Sequence, residues 1–296
     1  MTEQLKLKLN DSKATRWGAL VIVAFTMMAA YYVNDVVAPL KTMLETDLAW
    51  SSTDFGFFTG GYSFLNVFFL MLIWGGLILD RFGIRFTGKL ATILMVGGTA
   101  LEYYAMTGLA GADATLFGIN EIFGYKTGVF VAFAGYSIFG VGAEVAGITV
   151  SKIIAKWFKG KELATAMGVQ VALARIGSQA GYAVAIPLAR AFCISTPVLL
   201  GLVLLLGGMI AFFVFAVMDK KLDKQMEAAA IAAGTEDEEE KFSFKDVKNM
   251  LVNPGFWLIA LLCVLFYSCV FPFQKFASEL MIIKSVSYTH LRAHET

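Results

Sequence analysis

The sequence predicts an all-α membrane protein: a six-helix N-terminal bundle, a linker, and the first span of a second, truncated bundle. Three observations carry this. The chain of 296 residues is 58% hydrophobic and 16% charged, with a mean hydropathy of +0.69. A soluble domain has about 25% charged residues. Apolar runs long enough to cross a bilayer, which takes about 20 residues, recur along the chain. Basic residues gather in alternate loops, as they do on the cytoplasmic side of a polytopic protein.

The elements follow in order. Met1 to Arg16 is polar and basic, and Trp17 to Leu40 is the first span, too long for the apolar core of a signal peptide. Asn34 and Asp35 lie near its far end. Ser51, Ser52 and Thr53 are candidate caps for the second span, Phe55 to Leu79. That span carries Asn66 and a Gly56-x-x-x-Gly60 face suited to close helix packing. Phe86 to Leu109 is the third span, with Glu102 towards its outer end, where a snorkelling role is expected.

A polar loop, Ala110 to Thr127, leads to the fourth span, Gly128 to Trp157. Gly135, Gly140, Gly142, Ala143 and Gly147 crowd it and allow neighbours to come near. The basic turn KWFKGKE precedes the fifth span, Leu163 to Leu188, which holds Gln170, Arg175, Ser178 and Gln179. The sixth, Thr196 to Met218, is apolar throughout, as a lipid-facing helix would be. Residues 219–254 read as a solvated cytoplasmic linker with an acidic run, Glu236–Glu240, and an amphipathic piece, Phe242 to Leu251. Residues 255–284 hold a seventh span, expected to kink near Pro272. Residues 285–296, ending VSYTHLRAHET, read as the one-frame translation of a sequencing adapter, and they contain both histidines, His290 and His294.

Orientation comes from the basic residues. Lys6, Lys8, Lys13 and Arg16, then Arg81, Arg85 and Lys89, then Lys152, Lys156, Lys159 and Lys161, then the lysines after Met218, share one side. The opposite loops hold Lys41, Lys126 and Arg190. The N-terminus is therefore expected in the cytoplasm, and a bacterial inner membrane is the expected location. Trp17, Trp50, Trp74, Trp157 and Trp257 fall at span ends, as an aromatic belt predicts.

Composition also narrows function. A net charge of +1 gives no reason to expect nucleic acid. Cys193, Cys263 and Cys269 show no paired spacing, so neither a disulfide framework nor a metal site is expected. No nucleophile–base pair or phosphate-binding loop points to an enzyme, and no cofactor is called for.

Charges inside a bilayer cost at least ~2.5–3.5 kcal/mol each and are functional by default. Glu144 lies about halfway down the fourth span and Arg175 about halfway up the fifth. Antiparallel neighbours would bring them to one depth. They would either neutralise each other as a structural pair or hold the amine and carboxylate of a zwitterionic ligand. Asn34 and Asp35 form a second candidate pair, either for coupling or gating or as a wet helix end. Tyr31, Tyr32, Tyr136 and Gln170 are candidates to line a cavity, with plain packing as the other reading of the aromatics. A small-molecule substrate and the lipid bilayer are the expected partners. Protons remain compatible, since Glu144 or Asp35 can carry one.

The turn from Gly76 to Arg85, GLILDRFGIR, joins the second and third spans. Gly76, Asp80, Arg81, Gly83 and Arg85 meet every fixed position of G-x-x-x-D-R-x-G-x-[RK], and in this place the turn resembles the signature of the major facilitator superfamily. The resemblance implies twelve spans in two six-helix bundles, alternating access, and a latch role for these five residues. Gly140-x-Gly142-x-Glu144, KWFKGKELATAMG, Ala174 to Ser178 and Phe271-Pro272-Phe273 are similar to the branch containing lysosomal dipeptide uniporters and their bacterial relatives. That resemblance implies peptide contacts by Glu144 and Arg175. An organic-anion or sugar-acid carrier is the alternative, and a non-transporting receptor or scaffold the alternative of another class.

Overall fold

A computed structural model describes residues 8–110, 115–116, 118–233, 249 and 251–295. The chain forms two units, Met1–Thr235 and Glu236–Thr296. The first contains α1 (Lys13–Val36), α2 (Lys41–Asp47), α3 (Ser52–Phe68), α4 (Met71–Thr107), α5 (Thr127–Trp157), α6 (Leu163–Ala191) and α7 (Thr196–Ala233). A two-stranded antiparallel hairpin, β1 (Glu121–Ile122) and β2 (Tyr125–Lys126), precedes α5. The second unit contains α8 (Pro254–Glu295).

The all-α membrane fold is as expected. Lys13–Asp47, Thr127–Trp157, Thr196–Ala228 and Pro254–Ala277 are each long and apolar enough to cross a membrane, and α3 with α4 qualifies as a bent pair. At about 1.5 Å per residue, α6 is also long enough. It is more polar, carrying Gln170, Arg175, Ser178 and Gln179.

Gly98 and Gly142 lie in the α4–α5 contact, where an added Cβ would meet Phe139 and Met95 respectively. Gly61 sets α3 against Phe133 of α5, and Gly177 sets α6 against Met28 of α1. Tyr32 and Val33 of α1 pack on Gly201 of α7. The core so formed runs through Leu20, Val33, Phe58, Met95, Tyr136, Phe139 and Phe215, all buried.

Several sequence expectations change. Close packing of α3 uses Gly61, because a Cβ at Gly56 or Gly60 would meet nothing within 4 Å. Residue 61 lies about 100° further round the helix than Gly60, on the side of buried Phe58. The second span is broken: Leu70 takes φ 51° and ψ 38°, and Ser52–Phe68 meets Met71–Thr107 at 58°. The helix start is as expected, with Ser51 and Asp54 forming a reciprocal cap. The Asp54 N–H donates to the Ser51 hydroxyl at 3.1 Å, and the Ser51 N–H donates to the Asp54 carboxylate at 2.8 Å.

The turn between the second and third spans is shorter than it looked. α4 is two helical arms, 71–82 and 84–107, meeting at Gly83 with φ 76° and ψ 172°. Only glycine adopts that backbone without strain.

The sixth helix does not stop at Met218. α7 continues to Ala233, and Asp219 is buried rather than solvated. The acidic run Glu236–Glu240 and most of the Phe242–Leu251 piece lie outside the described residues. Two of the five tryptophans, Trp50 and Trp157, are buried at 4% and 1% exposure, so they pack inside the bundle and do not line a headgroup belt. Glu102 is fully buried and cannot snorkel; Gly135 of α5 lies against its backbone N–H. α8 runs on to Glu295 with Pro272 inside it, through the segment read as adapter.

Candidate functional site

Glu144 lies on α5, two residues beyond Gly142 and one turn beyond Gly140. A Cβ at Gly140 would strike the Tyr62 carbonyl, so its absence lets α3 approach α5 at this level. The approach delivers the Tyr62 hydroxyl, which donates to Oε1 of Glu144 at 2.8 Å. Glu144 is half-buried.

Arg175 is exposed on α6, with its guanidinium 5.5 Å from the centre of the Tyr31 ring. A cation over a tyrosine face is held by the ring quadrupole. Tyr31 itself lies within electrostatic reach of Tyr62. Glu144 and Arg175, on two helices, are thus linked through two phenols, Tyr62 and Tyr31. Of the two alternatives the sequence leaves for them, the internal ion pair is not seen: no salt bridge joins them among the described residues. Gln170, half-buried, sits five residues before Arg175 on α6.

The second candidate pair is joined to the first. Tyr136 is fully buried and donates its hydroxyl to Asn34, at 2.8 Å to the carbonyl and 3.0 Å to Oδ1. Asn34 Nδ2 donates in turn to Asp35 Oδ1 at 2.8 Å. Asp35 is 6% exposed, so the wet-helix-end reading of it fails. Tyr136 lies 5.6 Å from the Tyr62 ring, which links the two clusters, and Glu102 lies within electrostatic reach of Tyr136. Tyr32 stands apart, buried, with its hydroxyl donating to the Pro197 carbonyl at 3.2 Å.

Tyr62 and Glu102 are the residues sequence reasoning passed over for this region. Tyr62 is one tyrosine among ten in the chain. The usable signal was Gly140, one turn before an intramembrane acid, which marks a close approach without saying by what.

At the basic end, Asp80 accepts from Lys152 Nζ at 2.8 Å, and both side chains are about half exposed. Arg85 reaches Asp223 at 2.8 Å and Asp219 at 3.7 Å. Asp219 also accepts from Lys156 at 2.8 Å and from Trp157 Nε1 at 3.0 Å. Arg81 is exposed and lies 5.6 Å from the Phe82 ring. The N-terminal segment clips onto the same end. Arg16 pairs with Glu162 at 2.8 Å, and Lys161 with Asp11 at 2.8 Å. The Leu9 N–H donates to Gln225 Oε1 at 2.8 Å. Chiefly the Lys161 hydrogen bond, with the Lys8 N–H, holds the Asp11 carboxyl below its ordinary value.

Among the described residues, no group of three or more His, Cys, Asp or Glu is placed to hold a metal ion.

Residues 20–289 match the family model described as Major Facilitator Superfamily. The lysosomal dipeptide transporter MFSD1 of Homo sapiens is 27% identical over 274 residues, covering 88% of this chain and 52% of that protein. Its counterpart in Danio rerio is 26% identical over 285 residues, covering 93% and 56%. The counterpart in Gallus gallus is 34% identical over 152 residues, covering 47% and 32%. The chain spans about half the length of the curated relatives it matches, 52% and 56% for the first two of these. These relatives are vertebrate proteins with lysosomal names, so the expected bacterial inner membrane gains no support from them.

Proposed function

The chain belongs to the Major Facilitator Superfamily, and from that premise we propose that it carries one bundle of an alternating-access solute transporter for small zwitterions such as dipeptides. Family membership and the apolar helices make it an integral membrane protein. The observation that carries the substrate reading is the Glu144–Arg175 arrangement. A half-buried acid on α5 and an exposed base on α6 are each held by a tyrosine and not by each other. Each keeps its charge for a ligand: the carboxylate for an ammonium, the planar guanidinium for a carboxylate. Gln170 and Asn34, both half-buried, add polar groups to the site, and the buried Tyr136 and Asp35 support it through their hydrogen bonds with Asn34. The names of the similar proteins agree with this ligand class.

The alternating-access step is rocking of two bundles about a midplane site. Gly76, Asp80, Arg81, Gly83 and Arg85 serve as the cytoplasmic latch, with the N-terminus on the same side.

A second reading has one observation in its favour. Arg175 is exposed while Glu144 is half-buried and already bonded to Tyr62, as in a carrier for organic anions that uses Arg175 alone. Uptake into proteoliposomes separates the two. The full reading frame carrying this chain should show saturable dipeptide flux that Arg175→Ala abolishes. Competition by monocarboxylates, with dipeptides inert, would replace the first reading by the second. Dipeptide flux that ignores Arg175→Ala would make this residue structural.

A further inference from the structure

Glu144 meets a neutral phenol where a cation would have been the simplest solution. The contact is built rather than incidental. A side chain at Gly140 would push the Tyr62 backbone away from α5, and glycine there brings none. The Tyr62 ring then packs beside both Tyr136, at 5.6 Å, and Phe139, at 6.2 Å. Those two rings are themselves stacked at 5.8 Å with an interplanar angle of 4°. Packed so, the ring directs its hydroxyl to Oε1 of Glu144, 2.8 Å away.

The consequence is electrostatic. A carboxylate accepts several hydrogen bonds through its two oxygens. Tyr62 takes one site on Oε1 and brings no charge, so the full negative charge remains for an incoming ammonium. Tyr62 anchors Glu144 on the α3 side, as the Tyr31 ring holds Arg175.

We infer that Tyr62 is a positioning residue that makes the site selective for ligands with a free amine, by holding the Glu144 carboxylate in place on the α3 side to meet the ammonium. The inference rests on the zwitterion reading of the site and goes one step further, to the group that sets its preference. An N-acylated ligand offers Glu144 no cation, so its binding does not depend on Tyr62.

The test uses thermal stabilisation of the purified full-length protein, which reads binding without requiring transport. The probes are L-alanyl-L-alanine and N-acetyl-L-alanyl-L-alanine. Tyr62→Phe keeps the ring and its stacking, so the packing around Tyr136 and Phe139 is retained; Glu144→Gln serves as the reference for a lost charge. The wild type should prefer the free amine, and Tyr62→Phe should lose about tenfold of that preference, the scale of a charge-assisted hydrogen bond. Its affinity for the acetylated probe should stay unchanged. A preference retained in Tyr62→Phe overturns the proposal and leaves the zwitterion reading standing. Equal weakening of both probes makes Tyr62 merely structural and overturns it too. A wild type that does not distinguish the probes overturns the zwitterion reading, and this proposal with it.

Discussion

Gly140 shows how much a single missing methyl group decides. Its replacement by alanine would push on the Tyr62 carbonyl and Cα, which are backbone and cannot rotate away. Overpacking of this kind costs about 1–3 kcal/mol. Gly140→Ala should therefore lower the thermal midpoint clearly. Gly56→Ala, where a Cβ meets nothing within 4 Å, should hold it or raise it slightly through helix propensity. Equal midpoints for the two variants would refute the α3–α5 contact as described. At this scale the sequence was half legible. Glu144 and Arg175 stood out because charge in an apolar run is costly. Their partners did not, because Tyr62 and Tyr31 lie 82 and 144 positions away from the charges they meet. Glu102 was misjudged for a related reason: closeness to a span end resembles snorkelling until the neighbouring helix is in place. No periodicity in the sequence says that Gly135 will close over it.

At the scale of elements, burial sorts the ion pairs at the basic end. Asp80 and Lys152 are 48% and 49% exposed, and such pairs contribute only about 0–1 kcal/mol. Asp80→Ala should leave thermal stability nearly unchanged while slowing transport if the latch operates. Unchanged transport would remove the latch from the mechanism. Asp219 is different, since its carboxylate is fully buried among Lys156, Arg85 and Trp157. Removing one partner of a buried pair costs about 3–5 kcal/mol. Asp223 softens the loss by retaining both cations, so Asp219→Ala should cost about 2–3 kcal/mol in a denaturation measurement. A cost no larger than that of Asp80→Ala would contradict this ranking. The sequence placed Asp219 at the head of a solvated linker because charge returns there. The physical reason it is buried is that Arg85 and Lys156, on two other helices, arrive at the same level and make burial affordable.

The N-terminal clip gives the pH prediction of this scale. The Asp11 carboxyl titrates below its ordinary value of 3.8 in the folded protein, mainly through Lys161. A depressed carboxylate stabilises above its unfolded pKa, and the contribution is lost as pH falls through the folded value. The clip should therefore resist proteolysis equally at pH 7 and pH 5 and open only below about pH 4. Opening between pH 7 and pH 5 would mean that another group holds it.

For the whole molecule, the class of fold was the most legible feature. Hydropathy, the alternation of basic loops and the Gly76–Arg85 turn each pointed to the same membrane bundle, and the family match over residues 20–289 agrees. Continuity of the helices was not legible. Leu70 breaks the second span within a run of phenylalanine and leucine that reads as unbroken helix, because nothing in Phe68-Phe69-Leu70 announces a left-handed residue. α7 outruns its apolar stretch for the opposite reason, since Lys220 to Ala233 is free of glycine and proline and continues the helix without a stop signal.

The two positive-φ joints at Leu70 and Gly83 enclose the arm 71–82. That arm is about 18 Å long at 1.5 Å per residue. Gly75 seats it against Val145 of α5 midway along its length. Each joint interrupts the ladder of backbone hydrogen bonds, so the amides beside it are shielded by one turn of helix at most. In deuterated solvent the arm should appear as a protected segment bracketed by two zones of fast amide exchange, one around residues 69–72 and one around 83–86. If the seat on Val145 is what keeps the segment ordered, replacing Gly75 with a larger residue should erase the boundary between zones and let the whole stretch exchange as one.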